Sequence, residues 1–324
     1  MNYWEIIVNS YEGAAKGLWN YIVVPLKDNG VPNFFYFLIL ISVLIWVLEI
    51  VVPWRKKQAI FRRDFWLDSF YMFFNFFLFR VFLFAALVNV TYALFVSFLE
   101  LFGYQGGAMI DLSGLHWGVQ LVLFFLIADL TQWAVHVVLH RVPFLWQFHK
   151  VHHSVKEMGF AAHLRYHFME NLFYQPAKFV ALSLLFGFEL QYAFYIYYLA
   201  TLIGHLNHAN LNLDYGPLRY LLNNPKMHIW HHAKEMPEKH PFGMNFGISL
   251  SIWDYLFGTA YVPSSGRDIE LGFEKDESYP QGFWGQLVEP FKRQKRKSIC
   301  YLPFSGASHL GWRRFPHIRT SGSN

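Results

Sequence analysis

Four apolar stretches dominate this sequence. The first, FFYFLILISVLIWVLEIVV at 34–52, contains a single acidic residue, Glu49. A helix needs about 20 predominantly apolar residues to cross a bilayer, and comparable stretches occupy 65–102, 117–140 and 172–205. Charged residues make up only 15% of the chain, against about 25% in ordinary soluble domains. The sequence therefore predicts an all-α fold, a multi-pass membrane helical bundle.

Basic loops predict how these segments are oriented. The run RKKQAIFRRD at 55–64 follows the first stretch directly, and such runs mark the cytoplasmic side. The loop at 103–115 has no Lys or Arg, which favours the opposite side. Both assignments hold if 65–79 lies along the interface and only 81–102 crosses. Arg80 then lies at the interface, where its long side chain can reach water.

By the same reasoning, 172–205 is predicted to be a helical hairpin that turns near Gly187. The basic run KRQKRK at 292–297 then also lies in the cytoplasm. The N-terminal residues lack the features of a cleaved signal peptide, and we expect them to form an interfacial amphipathic segment. We therefore predict a protein of the cell inner membrane or the endoplasmic reticulum with every histidine cluster on the cytoplasmic side.

Composition divides the chain into three parts. We predict N-terminal membrane segments at 1–115, a catalytic domain at 116–262 and a polar, basic tail at 263–324, poorly ordered from 302 onward. Cys300 is the single cysteine, which excludes an internal disulfide and a cluster held by four thiolates. Neither basic run lies on a recognisable nucleic-acid fold, so we expect no nucleic-acid partner.

Three histidine patterns stand out in this apolar chain. His136 and His140 have i, i+4 spacing, and the sequences HKVHH at 149–153 and HIWHH at 228–232 both have the form H-x-x-H-H. Residues at i, i+3 and i+4 share one face of a helix. Eight imidazoles exceed the needs of one tetrahedral zinc site, so the count favours two metals. Imidazole binds iron, zinc, copper and nickel alike and does not choose among them.

Other polar residues compete for a role near these patterns. We expect a ninth ligand among His163, His167, His205 and His208, although each could equally be a supporting or surface residue. Asp129 lies two helical turns before His136 on the same face. An acidic residue inside a membrane span suggests a function. Asp129 could accept a hydrogen bond from His136 or from a ligand on another segment.

The order of these motifs resembles the fatty acid hydroxylase/sterol desaturase superfamily, and the arrangement is similar to its alkylglycerol monooxygenase branch. The resemblance covers roughly 115–260 and is carried by DLTQWAVHVVLHRVPFLWQFHKVHHS (129–154), LRYHFMEN (164–171), HANLNL (208–213) and the run from MHIWHH to NFGISLSIWDYLFGT (227–259). One departure is Phe168, which follows His167 where the family often has proline.

The resemblance implies a membrane-bound, O2-dependent non-haem di-iron oxidoreductase that hydroxylates or desaturates a C–H bond of an acyl, ether-lipid or sterol-type substrate. Its histidines would form a cytoplasmic helical cap around two iron ions. It implies supporting roles for Asp129, Asn245 and Asp254. His163, His167 and His205 stay possible further ligands or supporting residues. The implied ligands are His136, His140, His149, His152, His153, His208, His228, His231 and His232.

Breaking an unactivated C–H bond needs a redox cofactor, because side chains do not supply a strong oxidant. No flavin, haem or cytochrome-like segment is apparent, so we expect electrons from a separate partner or a soluble reductant such as a pterin. The absence of H-E-x-x-H and G-x-S-x-G disfavours a zincin and a serine hydrolase. Two alternatives stay open: a zinc-dependent membrane hydrolase using metal-bound hydroxide, and a non-catalytic metal-binding membrane protein.

Overall fold

The computed structural model describes residues 3–24, 33–78, 85–188 and 191–292. The chain divides into a compact unit, Met1–Pro290, and a second unit, Phe291–Asn324, which is described only at 291–292. The predictions for Arg80, Cys300 and the tail from 302 onward lie outside the described residues, as does most of the basic run at 292–297.

The described residues form helices, turns and three isolated β-bridges, with no β-strand among them. The predicted all-α class is confirmed for this part of the chain. The α-helices are α1 (Tyr3–Val23), α2 (Phe34–Val51), α3 (Phe65–Phe73), α4 (Ala85–Glu100), α5 (Trp117–Arg141), α6 (Pro143–His153), α7 (Asn171–Phe179), α8 (Gln191–His208), α9 (Pro225–His231), α10 (Ile252–Leu256) and α11 (Phe283–Val288).

Shorter helical segments connect these helices. The 3₁₀ turns are Phe160–Leu164, Phe168–Glu170, Gly216–Tyr220, Asp276–Ser278 and Glu289–Phe291, and π-helical turns extend α3 at Phe74–Leu78 and α7 at Val180–Leu185. Helix α1 packs against α4, α2 against α8, α5 against α6 and α7, and α8 against α9.

Helices α2 and α5 are long and apolar enough to cross a membrane. Asn33 caps α2, where its side chain accepts hydrogen bonds from the backbone N–H groups of Phe35 and Tyr36. Much of α2 leaves large apolar side chains exposed, including Leu40 and Leu44, as lipid contact requires. The number of crossings and the side that carries the histidines stay predictions.

The loop predicted at 103–115 does separate α4 from α5. It contacts the turn that follows α7, because the backbone N–H of Ile110 donates to the carbonyl of Leu185. Gly187 in that turn has φ +62°, and a β-carbon there would lie 2.6 Å from the side chain of Ala108. Glycine is thus favoured at this turn, and the helical hairpin predicted at 172–205 stays a prediction.

Candidate metal centre

Nine buried histidines converge in two adjacent groups. Within each group, one ring nitrogen of every histidine lies within 4.8 Å of the others. The rings of His153 and His232, one from each group, have centroids 4.6 Å apart. The first histidine group comprises His136, His140, His149, His153 and His231, and the second comprises His152, His208, His228 and His232.

A proline corner brings the first two motifs together. Val142 ends α5 in an extended conformation, and Pro143 begins α6 at the next residue. The residue before a proline is disfavoured in the helical region, while proline is well suited to the first helical turn. The chain therefore turns sharply after His140, and the H-x-x-H-H motif packs back against α5.

Helix α9 supplies the third motif. Asn224 caps it by accepting a hydrogen bond from Met227 N–H, and Pro225 begins it. His228 and His231 lie on the helix, and His232 follows at its end. Helix α8 packs against α9 and carries His208 as its last residue.

Hydrogen bonds determine which ring nitrogen of five histidines carries the proton. A carbonyl or carboxylate oxygen can only accept, so the bonded Nδ1 must donate and a neutral ring keeps its lone pair on Nε2. Metal-bound histidines usually have such a partner. The pairs are His136 with the Phe246 carbonyl (2.7 Å), His149 with Glu170 (3.0 Å), His152 with the Arg165 carbonyl (3.0 Å), His208 with the Gly204 carbonyl (2.7 Å) and His231 with the Met244 carbonyl (2.8 Å).

These tautomers leave lone pairs facing one another. The Nε2 atoms of His136 and His149 are 3.0 Å apart, and neither carries a proton to share. In the second group, the Nε2 atoms of His152 and His208 are 3.4 Å apart. Two nitrogens bound to one ion at ~2.1 Å and at right angles lie about 3.0 Å apart. The spacing of these acceptors therefore fits a shared cation.

Burial keeps the rings neutral and able to bind a metal. It lowers the pKa of His152 to about 3, an effect that neighbouring His149 increases. The pKa values of His153 and His232 are also held well below the usual value, first by burial and then by nearby imidazoles. The Nε2 of His231 is buried without a hydrogen-bond partner among the described residues. At neutral pH these donors suit a metal cation.

Asp254 and Asn245 form hydrogen bonds that fix the loop carrying two of the ring partners, Met244 and Phe246. The Asp254 carboxylate accepts hydrogen bonds from the backbone N–H groups of Phe246 (2.8 Å) and Gly247 (2.7 Å). Asn245 has φ +54°, and its side chain donates to the carbonyls of Met227 and Tyr261. The loop is thereby fixed so that its carbonyls face His136 and His231.

Gly243 begins the same loop beside His140. Its φ is +114°, and a β-carbon there would lie 2.9 Å from Nδ1 of His140. A side chain at this position would press on a candidate ligand as well as strain the backbone. The loop thus approaches the first group closely because it has glycine here.

Among the described residues, no histidine is a hydrogen-bond partner of Asp129. Its carboxylate accepts from the backbone N–H groups of Ser249 and Leu250, both at 3.1 Å, and from the Trp253 indole at 2.9 Å. Of the two possibilities that the sequence leaves open, a bond from His136 or from a ligand on another segment, the first is not observed, because the His136 ring donates to the Phe246 carbonyl instead. A supporting role exerted through the 249–253 segment stays a prediction.

Sequence reasoning assigned no role to Glu170. It lies in the quoted stretch LRYHFMEN, ends a 3₁₀ turn and is buried, and its carboxylate accepts from His149. The other carboxylate oxygen is buried without a hydrogen-bond partner among the described residues. Its place in the quoted motif, 21 residues after His149, was the available signal.

Three further histidines that the sequence singles out, His163, His167 and His205, lie outside both groups. The Nδ1 atoms of His163 and His205 are 2.9 Å apart, and Nε2 of His205 is 3.2 Å from the Ser42 hydroxyl on α2. His163 also fills the space beside Gly204, where a β-carbon would overlap its ring. His167 caps a 3₁₀ turn and donates to the Leu287 carbonyl on α11. The structure thus places His163 beside Gly204, whose carbonyl accepts from His208. It places His167 at the contact between a 3₁₀ turn and α11.

Residues 121–259 match the sequence model of the fatty acid hydroxylase family. They include all nine converging histidines, Glu170 and Asp254. This segment is similar to the fatty acid hydroxylase domain. The predicted resemblance is therefore confirmed, while the boundaries predicted for the catalytic segment stay a prediction.

Relatives of the fatty acid hydroxylase domain act on lipids. The chain is 34% identical over 180 residues to the ornithine lipid hydroxylase OlsE of Rhizobium tropici, covering 56% of this chain and 53% of the relative. It is 31% identical over 153 residues to the alkylglycerol monooxygenase of Xenopus tropicalis, covering 45% and 31%. The human alkylglycerol monooxygenase is 29% identical, with 42% and 29% covered.

The chain thus spans about half the length of the first relative and less than a third of the human one. No solved structure matches the chain. The chain is thus similar to a lipid hydroxylase and to monooxygenases, and this similarity supports an oxidoreductase.

Proposed function

We propose that the chain is a membrane-bound, O2-dependent di-iron oxidoreductase that hydroxylates, or desaturates, a C–H bond of an acyl, ether-lipid or sterol-type substrate. The observation that carries the proposal is the pair of adjacent histidine groups with lone pairs that face one another. Five histidines would hold one iron and four the other. Bound iron supplies the redox chemistry with O2 that side chains lack.

The protein's own residues prepare this chemistry in three ways. The carbonyls of Phe246, Met244, Arg165 and Gly204, with the Glu170 carboxylate, hold the ring protons on Nδ1 and aim Nε2 inward. Burial of every ring excludes water from the site. The Glu170 carboxylate also fixes the orientation of the His149 ring.

Membrane contact supports a lipid substrate. Helices α2 and α5 are apolar and partly exposed, and α5 carries His136 and His140 near its end. A reactive centre at the end of a span would meet a lipid close to the membrane surface. The lipid-acting relatives favour the same substrate class.

The cytoplasmic side is proposed from contacts at the end of α2. Glu49 near that end accepts from the backbone N–H groups of Phe160 and Asn210. The Arg55 backbone N–H, in the basic run, donates to the Asn210 side chain. The histidine-bearing segments therefore lie at the same end of α2 as the positive run, which favours the cytoplasm. Electrons would come from a separate partner protein or a soluble reductant.

A turnover experiment in mild detergent tests the proposal. The purified chain is loaded with iron, supplied with reductant and O2, and offered an ether lipid, an ornithine lipid and a fatty acid. Mass spectrometry should detect one added oxygen atom for hydroxylation, or loss of two hydrogens for desaturation. His153→Ala should abolish the product, whereas His240→Ala, a buried histidine outside both groups, should retain it.

Two outcomes would overturn the proposal. If the purified chain contained stoichiometric zinc and showed no activity after iron loading, the proposed oxygenase activity would be ruled out. Turnover that continues without O2 and reductant would instead favour a metal-dependent hydrolase.

A further inference from the structure

A pocket separate from both histidine groups opens just beyond the end of α2. Its volume is ≈ 610 Å³, within the range of about 300–1,000 Å³ typical of small-molecule sites. Three segments of the chain form its walls: 54–58, 156–158 and 267–271, joined by Ile229.

Positive charge dominates this pocket. Five cationic and two acidic side chains line it: Arg55, Lys56, Lys57, Lys156 and Arg267, with Glu157 and Asp268. Arg267 is paired with Asp268 at 2.7 Å, and Lys156 is paired with Asp276 outside the lining. Among the described residues, no ion pair joins Arg55, Lys56 or Lys57 to a carboxylate.

Hydrogen bonds hold the Arg55 side chain in place, but one of its donor nitrogens has no partner among the described residues. Its Nη2 donates to the Met158 carbonyl at 2.7 Å, and its Nε donates to Gln58 at 2.9 Å. The remaining Nη1 is buried with no hydrogen-bond partner among the described residues. Burial lowers the pKa of Arg55 to about 10, so the group is still a cation at neutral pH. A buried donor without a partner is costly, and an anionic oxygen would satisfy it.

The pocket has an apolar floor as well as a charged rim. Met158, Ile229 and Leu271 belong to one hydrophobic cluster, with Trp54 packed against it. Trp54 also follows the candidate span α2 within three residues. Tryptophan is enriched where spans meet water, and basic clusters beside spans attract anionic lipid headgroups. Charge above an apolar floor suits a phosphate with attached carbon.

We propose that this pocket binds an anionic phosphate group, presented either by a lipid headgroup at the membrane surface or by a free phosphate compound. Arg55 would donate from Nη1, and Lys56 and Lys57 would supply the flanking charge. The site would be additional to the metal centre. Its existence does not depend on the proposed oxidation, and its test needs no turnover.

Binding is measured on the full chain in an uncharged detergent, with three probes. These are dihexanoyl phosphatidylglycerol, dihexanoyl phosphatidylcholine and inorganic phosphate, and the readout is Kd by thermophoresis. We expect the phosphatidylglycerol probe to bind more tightly than the phosphatidylcholine probe, whose ammonium group opposes the lysines. Inorganic phosphate binding as tightly as the glycerol lipid would assign the site to a free phosphate compound. Weaker phosphate binding would assign it to a headgroup.

The variant Lys56→Gln/Lys57→Gln avoids a folding defect, because both side chains are exposed. It should weaken binding of the anionic probe about 30-fold, at ~1 kcal/mol for each lysine. The matched control Lys239→Gln/Lys275→Gln removes the same charge from exposed positions outside the pocket. If both double variants weakened binding equally, the effect would come from net charge alone, and the proposed site would be wrong. Failure of both anionic probes to bind would do the same.

Discussion

The two histidine groups differ in what holds their rings. In the first group, His149 donates to the Glu170 carboxylate, while His136 and His231 donate to carbonyls of one loop. In the second group, His152 and His208 donate to backbone carbonyls alone. The first group therefore depends on the Glu170 carboxylate and on the loop that Asp254 and Asn245 bind, whereas the second depends on the backbone of α8 and of Arg165.

This difference predicts unequal sensitivity to mutation. A carboxylate partner makes an imidazole a stronger ligand, so we expect the first group to hold its ion more tightly. Changes to Glu170 or to the partners of the 243–247 loop should then weaken the first group selectively. Loss of a ligand should disable either group.

Removal of one ligand from each group should give the largest effects. His153→Ala and His232→Ala alter rings that lie 4.6 Å apart but belong to different groups. Each should reduce turnover more than about 100-fold and remove one of the two proposed irons, because each leaves its ion short of a donor. Metal analysis together with product formation checks both. Retention of both irons in either variant would contradict the assignment of that histidine.

Asp254→Asn should give the next largest effect, and it should act on the first group alone. The carboxylate accepts from the backbone N–H groups of Phe246 and Gly247, the Trp133 indole and the Thr259 hydroxyl. An amide cannot accept all four bonds, so we expect the free energy of unfolding to fall by about 2–5 kcal/mol. Thermal unfolding and iron content provide the measurement.

The matched control for that variant is Asp268→Asn, which alters an exposed ion pair with Arg267. This control should change the free energy of unfolding by no more than about 0.5 kcal/mol. If Asp254→Asn removed iron from the second group first, the proposed dependence of the first group on this loop would be wrong.

Helix formation at the histidine motifs could be predicted from the sequence, because their spacing is helical. His136 and His140 lie on α5, and the HKVHH histidines end α6. The division between two groups could not be predicted. On a helix, successive residues turn by about 100°, so members of an H-x-x-H-H motif diverge enough to face different partners. His149 and His153 enter the first group and His152 the second, and packing by α5, α8 and α9 decides this.

Supporting residues were less predictable than candidate ligands. The sequence allows Asp129 to accept from His136, on the same face of α5, or from a ligand on another segment, but the 249–253 segment donates to the carboxylate instead. That segment is more than 100 residues distant in the chain, and its arrival depends on tertiary packing. Glu170 was overlooked for the same reason, since its 3₁₀ turn reaches His149 only in the folded protein.

Glu170→Gln should give a smaller effect that tests the comparison directly. The amide nitrogen cannot accept, and a neutral carbonyl supports His149 less strongly than a carboxylate. We expect iron affinity of the first group to fall about 10–100-fold, with the second group unchanged. Chelator titration, monitored by metal release in two phases, measures both groups in one experiment. The exposed variant Glu235→Gln serves as control, and equal loss from both groups would refute the selective role.

The smallest effects should come from the residues between the ligands on α6. Lys150 and Val151 separate His149 of the first group from His152 of the second, and the sequence predicts that they tolerate change because they face away from the metals. Val151 packs with Tyr71 and Phe283, away from the rings but fully buried. Val151→Ala should therefore lower the free energy of unfolding by about 1–3 kcal/mol, because it leaves a cavity. Lys150→Gln should lower it by less than about 0.5 kcal/mol. Thermal unfolding measures both, and loss of either iron in Lys150→Gln would show that the two groups are coupled through α6 itself.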